Sequence, residues 1–149
     1  MNVPAGSTPV ASTRVVAAVL RDAGGRVLIA QRPPGKHMAG YWEFPGGKIS
    51  SGESSTAALA RELAEELGVQ LRRCHPLLQL RHEYADRVIE LTVFVADEYL
   101  GVPAGLEGQA LKWVPAGELA GEALLPADRP IVEAIVAAAG TAAAAACTA

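Results

Sequence analysis

The chain has 149 residues, half of them hydrophobic, and a formal net charge of −3. That length and apolar content suit one domain around a single core. The mild acidity excludes the electrostatic footprint of a nucleic-acid binder, and no apolar run is long enough to read as a transmembrane helix, so neither a polymer nor a membrane is an expected partner.

Residues 1–13 hold Pro, Gly, Ser and Thr without a basic start and apolar run, so they are expected to be a flexible lead-in and not a secretory signal. Residues 14–20 read as a strand, Asp22-Ala23-Gly24-Gly25 as a turn, and residues 26–31 as the returning strand of a hairpin. A Pro- and Gly-bearing loop follows over 32–40, then a short aromatic strand over 41–44 ending at Pro45-Gly46-Gly47. Ser54, Ser55 and Thr56 offer N-cap chemistry for a helix running to about Leu67, with Gly68 as its stop. Strands are expected over 77–84 and 88–96 with a turn at Asp86-Arg87, then a glycine-rich loop over 99–109 and a short strand over 111–114. A short helix over 115–120 and a final helix over 128–139 complete the domain, and residues 140–149 are an alanine-rich tail. The order argues for an α+β fold with a mixed sheet between helices, not a doubly wound parallel sheet. Cys74 and Cys147 lie in no CxxC or Cys/His cluster, which argues against disulfides or zinc and fits a reducing cytoplasm. His75 and His82 read as structural, and Trp42 and Trp113 as core or rim aromatics.

The chemistry concentrates between residues 47 and 69. On a helix of about 100° per residue, Leu59, Leu63 and Leu67 form one apolar stripe, and Glu62, Glu65 and Glu66 share an arc beside it. Like charges at i,i+4 repel, and carboxylates near a helix C-terminus oppose the macrodipole. The nearby cation is Arg61, placed to pair with Glu65. A solvated acidic face is one explanation; a bound hard cation, Mg²⁺ or Mn²⁺, is the other.

The fixed positions around that helix decide between them. Gly47, five residues, Glu53, seven residues, Arg61-Glu62-Leu63, one residue, Glu65-Glu66, one residue, Gly68-Val69 resembles the Nudix box at every specified position. Gln31-Arg32, His37-Met38 and Trp42-Glu43-Phe44-Pro45-Gly46-Gly47-Lys48 resemble the matching stretch of MutT-type triphosphatases in that family, and the likeness covers about residues 14–139. The resemblance implies an α/β/α sandwich with the box as a loop–helix–loop. It implies Mg²⁺ held by Glu62, Glu65, Glu66 and the Gly46 carbonyl, with Glu53 as an auxiliary acid and Arg61 orienting the carboxylates. Leu63 and Val69 would be core. Glu107 matches a loop glutamate that serves as metal ligand or general base, the alternative being a surface loop residue. Arg32 matches a phosphate-holding position, His37 lies in the substrate-side loop, Phe44 could line the base pocket, and Gly47 and Lys48 fall on the substrate side. Asp128 stands where MutT proper reads the base with asparagine, or else it caps the last helix. An ionised aspartate only accepts hydrogen bonds, and guanine and cytosine both present donors, so the residue does not choose between them. The implied activity is Mg²⁺-dependent hydrolysis of a nucleoside triphosphate to monophosphate and pyrophosphate, removing nucleotides such as 8-oxo-dGTP. The alternatives are a CTP, dCTP or 5-methyl-dCTP pyrophosphohydrolase and a non-catalytic nucleotide-binding domain. A monomer or homodimer is expected.

Overall fold

The computed structural model describes residues 12–148, with side chains through residue 138. Residues 1–11 of the expected lead-in, the side chains of the alanine-rich tail and Cys147 therefore lie outside the described residues; Ser12 and Thr13 already belong to the first strand.

Strand β1 (Ser12–Val19) is central. It pairs antiparallel with β4 (Gly46–Lys48), Ala17 opposite Gly46, and parallel with β6 (Val88–Leu100), Val15 opposite Leu91. β6 in turn pairs antiparallel with β5 (Gln70–Glu83), giving a mixed four-stranded sheet in the order β4-β1-β6-β5. A second, antiparallel sheet has the order β3-β2-β7, from Trp42–Glu43, Val27–Gln31 and Leu111–Val114.

Side-chain alternation builds the layers. Val16, Ala18 and Leu20 pack with Ala58, Leu59, Leu63 and Leu67 of helix α1 (Ser55–Leu67), joined by Phe94 and Ala96 of β6. Ala17 and Val19 face the other way, with Leu91, Val93 and Val95, onto Ile131, Val132 and Ile135 of helix α2 (Arg129–Thr148). Buried on both faces, β1 and β6 read as near-continuous apolar runs between two helical layers. The α/β/α sandwich is thus present, and Leu63 and Val69 are core as expected. Among the described residues no helix is long and apolar enough to cross a membrane.

Five expectations need correction. The first two strands turn as foreseen, with Asp22 N–H bonded to Arg26 O and Leu28 N–H to Leu20 O, both at 3.0 Å, but then part into different sheets. Both edges of β1 are occupied by β4 and β6, so no ladder remains for β2. Strand β5 starts at Gln70, well before residue 77, because it takes in the polar Arg72-Arg73-Cys74-His75-Pro76 run; register breaks around Arg73 and Pro76 let an edge strand carry a proline there. The segment 46–48, expected as a turn, is strand β4. The expected helix at 115–120 is a 3₁₀ turn, Ala116–Gly121, and α2 runs from Arg129 to Thr148.

Candidate functional site

Helix α1 is set by its ends. Ser54 accepts a hydrogen bond from Ala57 N–H at 3.1 Å, and Gly68, at φ 70°, closes the last turn with its N–H on Ala64 O at 3.1 Å. The apolar stripe goes to the core, which leaves Arg61, Glu62, Glu65 and Glu66 along one flank.

Arg61 organises that flank. Its Nε and Nη2 donate to the two oxygens of Glu53 at 2.8 Å each, Nη1 donates to Glu62 Oε1 at 2.9 Å and Glu65 Oε2 at 3.5 Å, and Nη2 also reaches the Lys48 carbonyl at 3.1 Å. The fork is bidentate towards Glu53, a geometry that a lysine could not reproduce. Glu53 also accepts from Ser50 N–H at 3.0 Å. The Arg61 bonds, then that backbone bond, hold its carboxyl down to about 2. The loop before α1 is therefore strapped to the helix flank by one guanidinium.

The two glycines of the approach have separate reasons. At Gly46 a Cβ would strike the Val16 carbonyl and Ala17 Cα of β1, so β4 can pair there only as glycine. At Gly47 a Cβ would lie 2.5 and 2.6 Å from the Glu62 carboxylate oxygens. The Glu62 carboxylate, 14% exposed, thus rests directly against the β4 backbone.

Glu66 is the electrostatic centre. Burial foremost, then its Glu62 neighbour, then Glu107 and Glu43, push its carboxyl up to about 8. Glu107 comes from the loop between β6 and β7, which is stitched to the end of α1: Ala104 N–H bonds Leu67 O at 3.0 Å and Leu106 N–H bonds Glu66 O at 3.1 Å. Those contacts satisfy carbonyls that a helix end leaves unpaired.

A second wall lies beyond Glu43. Arg32 donates to Glu43 Oε2 at 2.8 Å and to the His37 carbonyl at 2.6 Å. Burial raises the Glu43 carboxyl, against the lowering pull of Arg32 and Lys36. Asp128, 6% exposed, accepts from Phe44 N–H at 3.1 Å. Burial pushes its carboxyl up to about 7, with Glu43 adding to the rise and the Phe44 N–H and Arg32 opposing it. The Tyr84 ring meets His37 and His82 edge-on at centroid distances of 5.8 and 4.5 Å, and its hydroxyl is engaged with the Ala127 backbone. Because Glu43 acts on both Glu66 and Asp128, the carboxylate flank and this wall border one region.

The donors gathered on α1 suit a hard divalent ion: carboxyl oxygens in excess, one of them, on Glu66, made costly to ionise by burial and its neighbours. Among the described residues no three acidic, histidine or cysteine side chains already form a cage. Glu65 is turned outward, its side chain 59% exposed, so it would have to swing inward to complete one.

The box residues, Glu107 and the Arg32–Asp128 wall lie around one region. Some details differ. The Phe44 ring is 3% exposed in the core, so it offers the wall its backbone N–H and not a ring face. Lys48 contributes its carbonyl to Arg61. Asp128 reaches back to Phe44, not to the N–H groups that open α2. Glu43, Tyr84 and Gln109 were not singled out. Glu43 could have been: between Trp42 and Phe44, which pack towards the core, strand alternation sends it to the opposite face.

Comparison with known proteins identifies the family. A NUDIX domain model matches residues 16–134. The CTP pyrophosphohydrolase of Escherichia coli (strain K12) is 39% identical over 123 residues, 83% of this chain and 90% of that protein. The 8-oxo-dGTP diphosphatase of the same strain is 33% identical over 119 residues, 80% of this chain and 92% of that protein. Among solved structures, the E. coli ORF135 protein superposes with a TM-score of 0.76 at 38% identity, covering 86% of this chain and 91% of its own. A MutT from a study of Aliivibrio salmonicida and Vibrio cholerae gives 0.74 at 30% identity, covering 85% and 98%.

Proposed function

This chain belongs to the Nudix family and is a hydrolase, and from that premise we propose that it converts nucleoside triphosphates to monophosphate and pyrophosphate with Mg²⁺, clearing oxidised nucleotides such as 8-oxo-dGTP. The arrangement that carries the reading is the α1 flank, where Glu62, Glu65 and Glu66 gather beside the Gly47 backbone and burial with the Glu62 charge raises the Glu66 carboxyl.

Glu62, Glu65 and Glu66 with the Gly46 carbonyl are the proposed Mg²⁺ holders, and the ion would supply a Lewis acid for phosphate oxygens and a lowered pKa for water. Glu107 takes the proton of the attacking water; Glu62 is the alternative, but it spends one oxygen on Arg61. Arg61 and Glu53 keep Glu62 seated against Gly47. Arg32, carried beside Glu43 on the second wall, meets the phosphate chain. Asp128 and the Phe44 backbone border the base.

A cytosine nucleotide is the second reading, and similarity to a protein named for CTP favours it. A carboxyl raised to about 7 is partly protonated at neutral pH and then offers a donor beside an acceptor. That pair complements the ring nitrogen and amino group of cytosine and equally the N1–H and O6 of guanine, so it does not rank the two bases. The E. coli relative at 39% identity is named for CTP.

Pyrophosphate release from 8-oxo-dGTP, dGTP, CTP and 5-methyl-dCTP, with and without Mg²⁺, tests the proposal. Turnover is expected to require Mg²⁺ and to fall on the order of 10²-fold or more in Glu65→Gln. Failure to hydrolyse any triphosphate, with nucleotide still bound, would return the chain to the non-catalytic reading. The ranking of 8-oxo-dGTP against CTP decides the base. In the same assay Gly47→Ala is expected to cost ~10²-fold in kcat while folding normally, because its methyl displaces the Glu62 carboxylate. Unchanged kcat would mean that the Glu62 position is not critical.

A further inference from the structure

Gln109 holds two parts of the site with one side chain. Its Nε2 donates to the backbone carbonyl of Glu66 at 3.1 Å, and its Oε1 accepts from the backbone N–H of Glu107 at 2.9 Å. The amide thus spans from the last turn of α1 to the loop that carries Glu107, with donor and acceptor each used in the sense the partner requires. The loop is shaped for this. At Gly105 a Cβ would strike the Gln109 carbonyl and come within 3.3 Å of Gln109 Oε1, and the Gly108 N–H closes the turn on Gly105 O at 3.0 Å. Gln109 is half-buried, whereas Glu107 itself is exposed, so the loop glutamate has little packing of its own to fix it.

We propose that Gln109 is a positioning residue that sets the Glu107 carboxylate relative to Glu66. The proposal rests on the reading of Glu107 as the group that works opposite the helix. No simple replacement keeps both bonds. An ionised glutamate lacks the donor, methionine lacks both groups, and asparagine is one methylene short. Losing the bridge frees Glu107 without disturbing the Arg32 and Asp128 wall, so the effect falls on kcat and not on nucleotide affinity.

The test uses the full chain as Gln109→Met, Gln109→Glu, Glu107→Gln and the Gln109→Met/Glu107→Gln double variant. Amide hydrogen exchange of metal-free protein is read beside steady-state pyrophosphate release. In Gln109→Met the Glu107 N–H is expected to exchange faster than in wild type, with an unchanged thermal midpoint. In Gln109→Glu, which keeps the acceptor, its protection is expected to return. Gln109→Met is expected to lower kcat roughly 10- to 100-fold, the range seen when a partner that orients a working group is removed, with KM within about twofold. In the Glu107→Gln background it should add nothing. A normal kcat in Gln109→Met, or losses that multiply in the double variant, would overturn the proposal while leaving Glu107 in place. If Glu107→Gln alone turns over like wild type, the Glu107 reading fails and the proposal falls with it. The exchange data still report separately whether Gln109 tethers the loop.

Discussion

Glu66→Gln is expected to lower turnover by ~10³-fold or more, the scale of losing several kcal/mol of charge stabilisation, and to make the metal-free protein melt higher above pH 8. The two halves have one cause. The Glu66 carboxyl is driven up to about 8 by burial and by the charges of Glu62, Glu107 and Glu43. A glutamine keeps the shape, donates to the Glu62 carboxylate and carries no charge. It removes the burden that ionisation places on the fold at high pH, on the order of a few kcal/mol. It also removes the negative oxygen that a cation needs. Pyrophosphate release and thermal melts at pH 6 and 9 with a chelator present measure both. A variant that stays active, or one that melts lower than wild type at pH 9, would show that Glu66 is not the strained carboxylate of the site.

The second large effect is the pH profile of the wild-type, metal-free protein. Three carboxyls have folded-state values above their ordinary ones: Glu66, from 4.5 to about 8, Asp128, from 3.8 to about 7, and Glu43, raised by burial. Folding therefore takes up protons, and the stability these groups confer is full below about pH 4 and is lost as pH rises through 7 and 8. Glu53 works in the opposite sense. Held at about 2 by Arg61, it contributes stability above its ordinary 4.5 that is lost as pH falls towards 2. The stability of the metal-free protein is expected to peak in mildly acid solution and to decline by a few kcal/mol, at order of magnitude, towards pH 9. Millimolar Mg²⁺ should flatten the part of that decline owed to Glu66, while Asp128→Asn should flatten the part owed to Asp128 whether or not metal is added. Urea midpoints from pH 4 to 9 measure the curve. A rise in stability from pH 5 to 9 without metal would contradict it.

What could be read from the residues depended on how far apart the partners lie in the chain. The apolar stripe of α1 and its Ser54 and Gly68 ends are local, and spacing alone was enough to place them, whereas Arg61, read as a partner of Glu65, gives its bidentate bonds to Glu53. The separation of β1 from β2 was not visible, because β1 is claimed by strands β4 and β6 from elsewhere in the chain. The early start of β5 was hidden by polar residues that an edge strand tolerates. In the site, Asp128 stood between base reader and helix cap. Its bond to Phe44, 84 positions away, is a tertiary fact that no local pattern encodes. Gln109 and Tyr84 were missed for the same reason: each gains its meaning from the backbone of another element.

The parallel pairing of β1 with β6 also shapes how the protein is made. Val15 finds its neighbour in Leu91, and the apolar alternation of β1 serves cores closed by α1 on one side and α2 on the other. A nascent chain emerging from the ribosome can pair one edge of β1 with β4, but it leaves the other edge open through the synthesis of the whole Nudix box until β6 arrives. Such non-local contacts place the domain among folds of high contact order, whose folding is slow relative to helical bundles and whose unpaired strands invite aggregation while they wait.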